Sequence, residues 1–206
     1  MQTILSLENV HKGGDIYVVC SGKSLDYIKP SFFDGRIVIG VNLAYKIVPV
    51  TYTVFRDGPV YPEQITTIAS EHIAGDQDNG RNIADYVFKC ARNLGSNIDT
   101  ENTHPRGDKI IQSYSTVTSA MHLAAFMGAR AIFLVAHDCG PIDEIYNCSG
   151  YYDNEISDKF QRRMEELESQ SMAVRDYIIK NYGCVVHSIN PFVSLALEGH
   201  TYGRVK

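Results

Sequence analysis

Two carboxylates, one histidine and a glycine turn carry the chemistry that this sequence suggests. Asp57 follows the apolar stretch Tyr52-Thr53-Val54-Phe55-Arg56, and a Gly58-Pro59 breaker comes after it. Asp138 closes a second such stretch, Phe133-Leu134-Val135-Ala136-His137-Asp138, with His137 beside it. Two aspartates at equivalent strand ends can hold Mg²⁺ against phosphates, because that ion takes few protein carboxylates and leaves its other positions to water and substrate. Asp138 and His137 can instead serve as an acid and base pair. Asp57, His137 and Asp138 are therefore the candidate catalytic residues, and Asp57 and Asp138 the candidate metal ligands. The competing role for either aspartate is that of a turn former.

The stretch Cys20-Ser21-Gly22-Lys23-Ser24-Leu25 is a small-residue turn between an apolar run and a short helix that stops near Pro30. A glycine turn opening onto a helix offers backbone N–H groups to an anion, so Ser21, Gly22, Lys23 and Ser24 are candidate phosphate contacts. Neither the P-loop pattern nor the dinucleotide fingerprint is present. Asn42 closes Ile39-Gly40-Val41-Asn42, and its amide both donates and accepts, which suits a base or a ribose hydroxyl as well as an ordinary turn. Thr118 and Ser119 fall in the first turn of a helix, where free N–H groups and the helix dipole favour anions, although capping alone explains one such hydroxyl. Ser188 and Asn190, in His187-Ser188-Ile189-Asn190-Pro191, follow the last apolar run and are expected to face the same crevice. His122 reads as a packed or exposed helix residue.

The elements that must position these groups are short apolar runs rich in β-branched and aromatic residues, the pattern of strands buried on both faces. They predict strands at Ile16–Cys20, Arg36–Val41, Tyr52–Phe55, Tyr86–Phe88, Ala131–Ala136 and Cys184–His187. Ser115–Met127 reads as a helix, with Ser113 or Ser115 as its cap, a stripe of Val117, Met121 and Ala125, and Gly128 at its end. A second helix is expected from about Ile156 to Tyr182, its charged face solvated or in contact with another subunit. Asn93–Gln112 and Pro141–Asp158 are polar connections long enough to act as lids. The fold class expected is α/β, an open, mainly parallel Rossmann-like sheet of about six strands with helices on both faces. One domain spans 1–206.

Composition narrows the function classes. The 206 residues are 44% hydrophobic and 21% charged, an ordinary globular balance. With 19 basic and 24 acidic residues the formal charge is −5, and no basic tail is present, which weighs against generic nucleic-acid binding. No apolar run approaches the roughly 18 to 20 residues of a membrane span, and the N-terminus lacks the basic and apolar regions of a signal peptide, so a cytoplasmic protein is expected. Five widely spaced cysteines without a C-x-x-C pair support neither a disulfide framework nor a zinc knuckle, and Cys20, Cys90 and Cys184 read as core thiols. No organic cofactor is indicated.

Taken in order, Val18-Val19-Cys20-Ser21-Gly22-Lys23-Ser24-Leu25-Asp26, Ile39-Gly40-Val41-Asn42, Val54-Phe55-Arg56-Asp57, Thr118-Ser119-Ala120 and Gly128 through Asp138 resemble the Rossmann-like family of 6-hydroxymethylpterin diphosphokinase-like proteins. The same segments are similar to bacterial sialyltransferases and to motility accessory factor glycosyltransferases. The resemblance runs from Asp15 to about Asn190 and implies a transferase that binds a nucleotide-activated donor and an acceptor yet to be identified. It implies nucleotide contacts at Gly22, Ser24, Asn42, Thr118 and Ser119. The family's Pro in the first turn is Lys23 here, its preceding Gly is Cys20, and no His occurs from Asp138 through Val186, where the sialyltransferases place their base. Asp57 stands where those enzymes have Asn, which turns the comparison toward the Mg²⁺-using diphosphokinase branch. Three readings follow: a glycosyltransferase acting on a nucleotide sugar, a Mg²⁺-dependent diphosphotransferase using ATP, and a nucleotide-binding protein without turnover. The oligomeric state is open, a homo-oligomer included.

Overall fold

The structure, a computed structural model, describes residues 2–56, 70–92, 107–151 and 164–189. Among the described residues nine strands form the sheet: β1 Gln2–Thr3, β2 Asp15–Val19, β3 Ile37–Val41, β4 Tyr52–Val54, β5 Glu71–Gly75, β6 Tyr86–Arg92, β7 Lys109–Gln112, β8 Ala131–Val135 and β9 Val185–Ile189. Their order is β1-β6-β5-β4-β3-β2-β8-β9, with β7 also paired to β6, and every pairing among the described strands is parallel. The open parallel α/β sheet expected from the sequence is therefore present, and it is larger than the expected six strands. β1, β5 and β7 are the additions. β5 carries Glu71 and His72 among its five residues, β7 is the end of a polar stretch that reads as a loop, and β1 has two residues. None has an apolar run of its own, so their pairing partners hold them in the sheet.

Among the described residues, two α-helices, α1 Thr116–Phe126 and α2 Met164–Tyr182, accompany the sheet. In β2, β3 and β8 the side chains alternate between two cores, as the strand period of two requires. Ile16, Val18, Ile39, Ile132 and Leu134 join α1 and α2 on one face. Tyr17, Val19, Val38 and Val135 join Leu25, Phe33 and Ala44 on the other. Those three residues come from short 3-10 turns at Lys23–Tyr27, Pro30–Phe33 and Ala44–Lys46. Among the described residues, then, both α-helices lie on one face and 3-10 turns cover the second, where helices on both faces were expected.

Ser115 caps α1 by accepting the Val117 N–H, and Gly128 follows the helix at φ +89°, a left-handed conformation that glycine adopts without strain. The expected single apolar stripe understates this helix. All eleven of its residues are buried, because the sheet covers one side and α2 the other. Gly183, at φ +68°, ends α2 and sends the chain directly into β9.

Candidate functional site

In a parallel sheet all strands deliver their carboxyl ends to one edge, and ligands collect where the chain order reverses. Here the order runs outward from β2 through β3, β4, β5 and β6, then returns to the opposite side of β2 with β8. The reversal lies between β2 and β8, whose register pairs Val19 with Val135. The segments beyond that pair are the Gly22 turn and Ala136-His137-Asp138.

They are knitted together. The Cys20 N–H donates to the Val135 carbonyl and the Gly22 N–H to the Ala136 carbonyl, both at 2.9 Å. Ala136 has φ +55°, an uncommon conformation for a residue with a Cβ, which bends the chain sharply after β8. Asp138 then accepts the Ser24 N–H at 2.8 Å and the Ser24 hydroxyl at 2.5 Å. Gly22 is required by this approach. A Cβ there would meet the Ala136 carbonyl and lie 2.5 Å from Asp138 Oδ2.

A second strap runs over the same turn. The Cys148 N–H donates to the Ser21 carbonyl, and Asp26 accepts the Ser149 N–H and hydroxyl, each bond 2.8 Å long. Lys23 Nζ lies 2.6 Å from Asp26. Burial pushes the Asp26 carboxyl up, but the hydrogen bonds from Lys23 and Ser149 outweigh it and hold the group below its usual range. At the end of β3, the Tyr151 hydroxyl donates to the Val41 carbonyl at 2.9 Å and accepts the Leu43 N–H at 3.3 Å. Asn42, between them, is left-handed at φ +52°, a region that Asn tolerates better than most residues. Its side-chain amide is half-buried and has no hydrogen-bond partner among the described residues.

His137 is also half-buried, and desolvation lowers its pKa to about 4, so the ring is neutral near pH 7. Its Nδ1 lies 3.3 Å from Cys139 Sγ and its Nε2 lies 3.2 Å from the Ser171 hydroxyl of α2. Ser21, Gly22, Lys23, Ser24, Asn42, His137 and Asp138 thus share one edge. Ser188 sits in β9 opposite Leu134, just before that edge. Asp57 and Asn190 lie outside the described residues.

Thr118 and Ser119 lie in the first turn of α1, just beyond the carboxyl end of β7, and point into the interior. Ser119 donates to the Ile111 carbonyl at 2.9 Å, and Thr118 donates to the Ser115 carbonyl at 2.8 Å while contacting the Ser113 hydroxyl at 2.9 Å. Both are buried, with 0% and 1% of their surfaces exposed, and both hydroxyls are spent on the junction of β7 and α1.

A polar network around Arg56 escapes sequence reasoning. Arg56, following β4, donates to the Ser113 carbonyl at 2.9 Å and reaches Asp78 at 3.4 Å. Buried Asp78 also accepts the Gly75 N–H at 3.0 Å and both its oxygens lie within 2.9 Å of Gln112 Nε2. Burial raises the Asp78 pKa, against the pull of Gln112 and Arg56. Arg56 could have been found as a cation directly after an apolar run; Asp78 carries no such signal.

No family model, no curated protein and no solved structure matches the chain. Among the described residues no group of three or more His, Cys, Asp and Glu side chains is placed to hold a metal ion by itself. Nor is any described helix long and apolar enough to cross a membrane.

Proposed function

We propose that the chain is a transferase that takes a nucleotide-activated donor in the crevice between the carboxyl ends of β2 and β8, acting as a glycosyltransferase on a nucleotide sugar. One observation carries this reading: an oriented carboxylate, Asp138, stands on a glycine turn at the point where the strand order reverses, with the unpartnered amide of Asn42 beyond the adjacent strand. The reversal supports a Rossmann-like description of the sheet.

The residues divide the work by chemistry. Asn42 offers a donor and an acceptor to a base or ribose hydroxyl. The Gly22 turn positions Asp138, its bare face packed against the Ala136 carbonyl and the Asp138 carboxylate and its Gly22 and Ser24 N–H groups bonded to them, so these two N–H groups, expected to cradle a phosphate, are already taken. Asp138, fixed by Ser24, is the group to take the proton of an acceptor hydroxyl. His137 is the weaker candidate for that step, because its ring nitrogens face Cys139 and Ser171.

A phosphate at this turn meets the Asp138 charge, and Lys23 is already paired with Asp26. Hard oxygen donors and a neighbouring diphosphate suit Mg²⁺; in a metal-dependent reaction Asp138, instead of acting as base, would hold that ion with Asp57 as its second candidate ligand, and the bound ion would neutralise phosphate charge. The same clash of charges favours the second reading, Mg²⁺-dependent diphosphate transfer from ATP.

The test is thermal stabilisation by CMP, UDP, GDP, ADP and ATP, each with and without Mg²⁺, followed by product analysis. One nucleotide at a hundredfold its Kd should add about 2.7 kcal/mol of stability. Release of a nucleoside diphosphate from an NDP-sugar, or of CMP from a CMP-linked sugar, with the sugar appearing on an acceptor, supports glycosyl transfer, and metal-dependent release of AMP from ATP supports the second reading. If no nucleotide stabilises the protein under any condition, the proposal fails.

A further inference from the structure

We propose that Arg56 anchors the phosphate oxygens of the activated donor, an oxyanion subsite beyond the carboxyl end of β4. The inference rests on the transferase reading and supplies what the ends of β2 and β8 lack. There the Gly22 and Ser24 N–H groups are bonded to Ala136 and Asp138, Lys23 Nζ lies 2.6 Å from Asp26, and the Asp138 charge repels a phosphate. The negative charge of the donor therefore needs a cation further along the same edge. Arg36 and Arg130 precede β3 and β8 and so belong to the opposite edge, and Lys89 pairs with Asp108 at 2.9 Å.

Strand order puts Arg56 within reach of the same ligand. The Asn42 N–H, beyond β3, donates to the Val54 carbonyl of β4 at 2.9 Å, and Arg56 lies two residues past Val54. Neighbouring strands are about 4.8 Å apart, so Arg56 stands one strand from Asn42 and two, about 10 Å, from the Gly22 turn beyond β2. A donor laid along this edge meets the Asp138 carboxylate at one end and the Arg56 cation at the other, with Asn42 between them. Tyr52 and Val54 pack against α1 in the core. Arg56 continues their parity, and its Nη1 donates to the Ser113 and Tyr114 carbonyls just before that helix, at 2.9 and 3.3 Å.

The guanidinium is oriented without being used up. Its Nε faces Asp78 Oδ1 at 3.4 Å, longer than the roughly 2.7 to 2.9 Å of a strong ionic hydrogen bond. Asp78 is satisfied by other donors: the Gly75 N–H at 3.0 Å and Gln112 Nε2 at 2.9 and 2.7 Å from its two oxygens. That cradle is itself fixed, since a Cβ on Gly75 would lie 2.6 Å from Asp78 Oδ2. Asp78 and the two carbonyls thus set the plane of the Arg56 fork, and Nη2 has no partner among the described residues. The side chain is 28% exposed, so a ligand can reach it. A planar guanidinium matches the oxygens of a phosphate, and one held in place beforehand loses little rotamer freedom when it binds.

The experiment is calorimetric titration of the full-length protein with inorganic pyrophosphate and with CMP, UDP, GDP, ADP and ATP, each with and without Mg²⁺. Arg56→Gln should weaken pyrophosphate and the preferred nucleotide by about tenfold or more, the worth of a hydrogen bond to a charged group. Arg56→Lys, which keeps the charge and loses the fork, should recover part of that loss. In the wild type, pyrophosphate should protect Arg56 from modification by phenylglyoxal, mapped by mass spectrometry, and this measurement decides the matter if neither variant folds. Pyrophosphate that binds and protects Arg56 while no nucleotide binds upholds the oxyanion subsite and removes the nucleotide reading. Nucleotide affinity that Arg56→Gln leaves unchanged, or that it lowers although neither ligand protects Arg56 in the wild type, overturns the subsite and leaves the transferase reading standing. Binding of neither pyrophosphate nor any nucleotide overturns both.

Discussion

Ser24 gives both its main-chain N–H and its hydroxyl to the Asp138 carboxylate, joining two turns that are 114 residues apart in the chain. The two β2 and β8 ends are thereby locked together at the edge where the candidate site lies. Hydrogen bonds to a charged group contribute about 1.5 to 3 kcal/mol, reduced where solvent competes. Asp138→Ala should therefore lower unfolding free energy in urea by about 1 to 3 kcal/mol, and Asp138→Asn by less, because the amide can still accept the Ser24 N–H. Stability of Asp138→Ala equal to wild type would show that the pair contributes nothing to the fold.

Gly22 tests the same junction sterically. The Cβ of Gly22→Ala has the Ala136 carbonyl and the Asp138 carboxylate in its way, and both belong to a turn held by hydrogen bonds. Crowding of this kind costs about 1 to 3 kcal/mol. Gly140→Ala is the control, since the nearest atom to its Cβ is the Asp138 carbonyl oxygen at 4.0 Å and its φ is not positive. That change should stay within about 0.5 kcal/mol. Equal melting temperatures for the two variants would contradict the packing described.

These contacts mark the boundary of what the sequence makes legible. β2, β3, β4 and β8 declare themselves because a strand buried on both faces must be apolar throughout. β5 does not, because His72 is accommodated by the Asp85 carboxylate, 3.4 Å from its ring, a partner that local pattern cannot reveal. The edge shared by Gly22, Asn42 and Asp138 follows from parallel strands alone, whereas the Ser24 to Asp138 bonds depend on a pairing across most of the chain. Thr118 and Ser119 illustrate the opposite difficulty. Hydroxyls in the first turn of a helix look alike in sequence whether they await an anion or, as here, bind Ile111 and Ser115 in the interior.

Acid should destabilise the protein through histidines whose pKa the fold lowers. His122 is 0% exposed; Nδ1 accepts the Ile111 N–H at 3.0 Å, so Nε2 carries the proton and donates to the Tyr182 hydroxyl at 2.8 Å. Desolvation lowers its pKa to about 3 and that of His137 to about 4, from 6.5 in each case, and also lowers His11 and His72. Below 6.5 the unfolded chain therefore binds protons that the native state refuses. Stability is flat above that pH and falls between about pH 6.5 and 4, by up to about 1.4 kcal/mol per pH unit for each histidine. Asp78, whose pKa is raised, opposes part of this loss above 3.8. Urea unfolding at about pH 7, 6, 5 and 4.5 should show the decline, and His122→Asn should be less stable at pH 7 but flatter with pH. A slope that the variant leaves unchanged would remove His122 from the account.

Asn42 permits a separation of backbone from side chain at the proposed nucleotide site. Its φ of +52° suits Gly and Asn, whereas Ala in a left-handed conformation costs about 1 to 2 kcal/mol. Asn42→Gly should therefore retain the stability of the fold, and Asn42→Ala should lose some of it. If the amide contacts a base or ribose hydroxyl, both variants lose that hydrogen bond, worth about 0.5 to 1.5 kcal/mol or roughly two- to tenfold in Kd. Calorimetric titration with the nucleotide that stabilises the wild type should give the same weakened affinity for the two, whatever their difference in melting temperature. Wild-type affinity in Asn42→Gly together with weakened affinity in Asn42→Ala would assign the effect to the left-handed turn that Tyr151 brackets. Unchanged affinity in both would leave Asn42 as a turn residue and remove the amide from the nucleotide site.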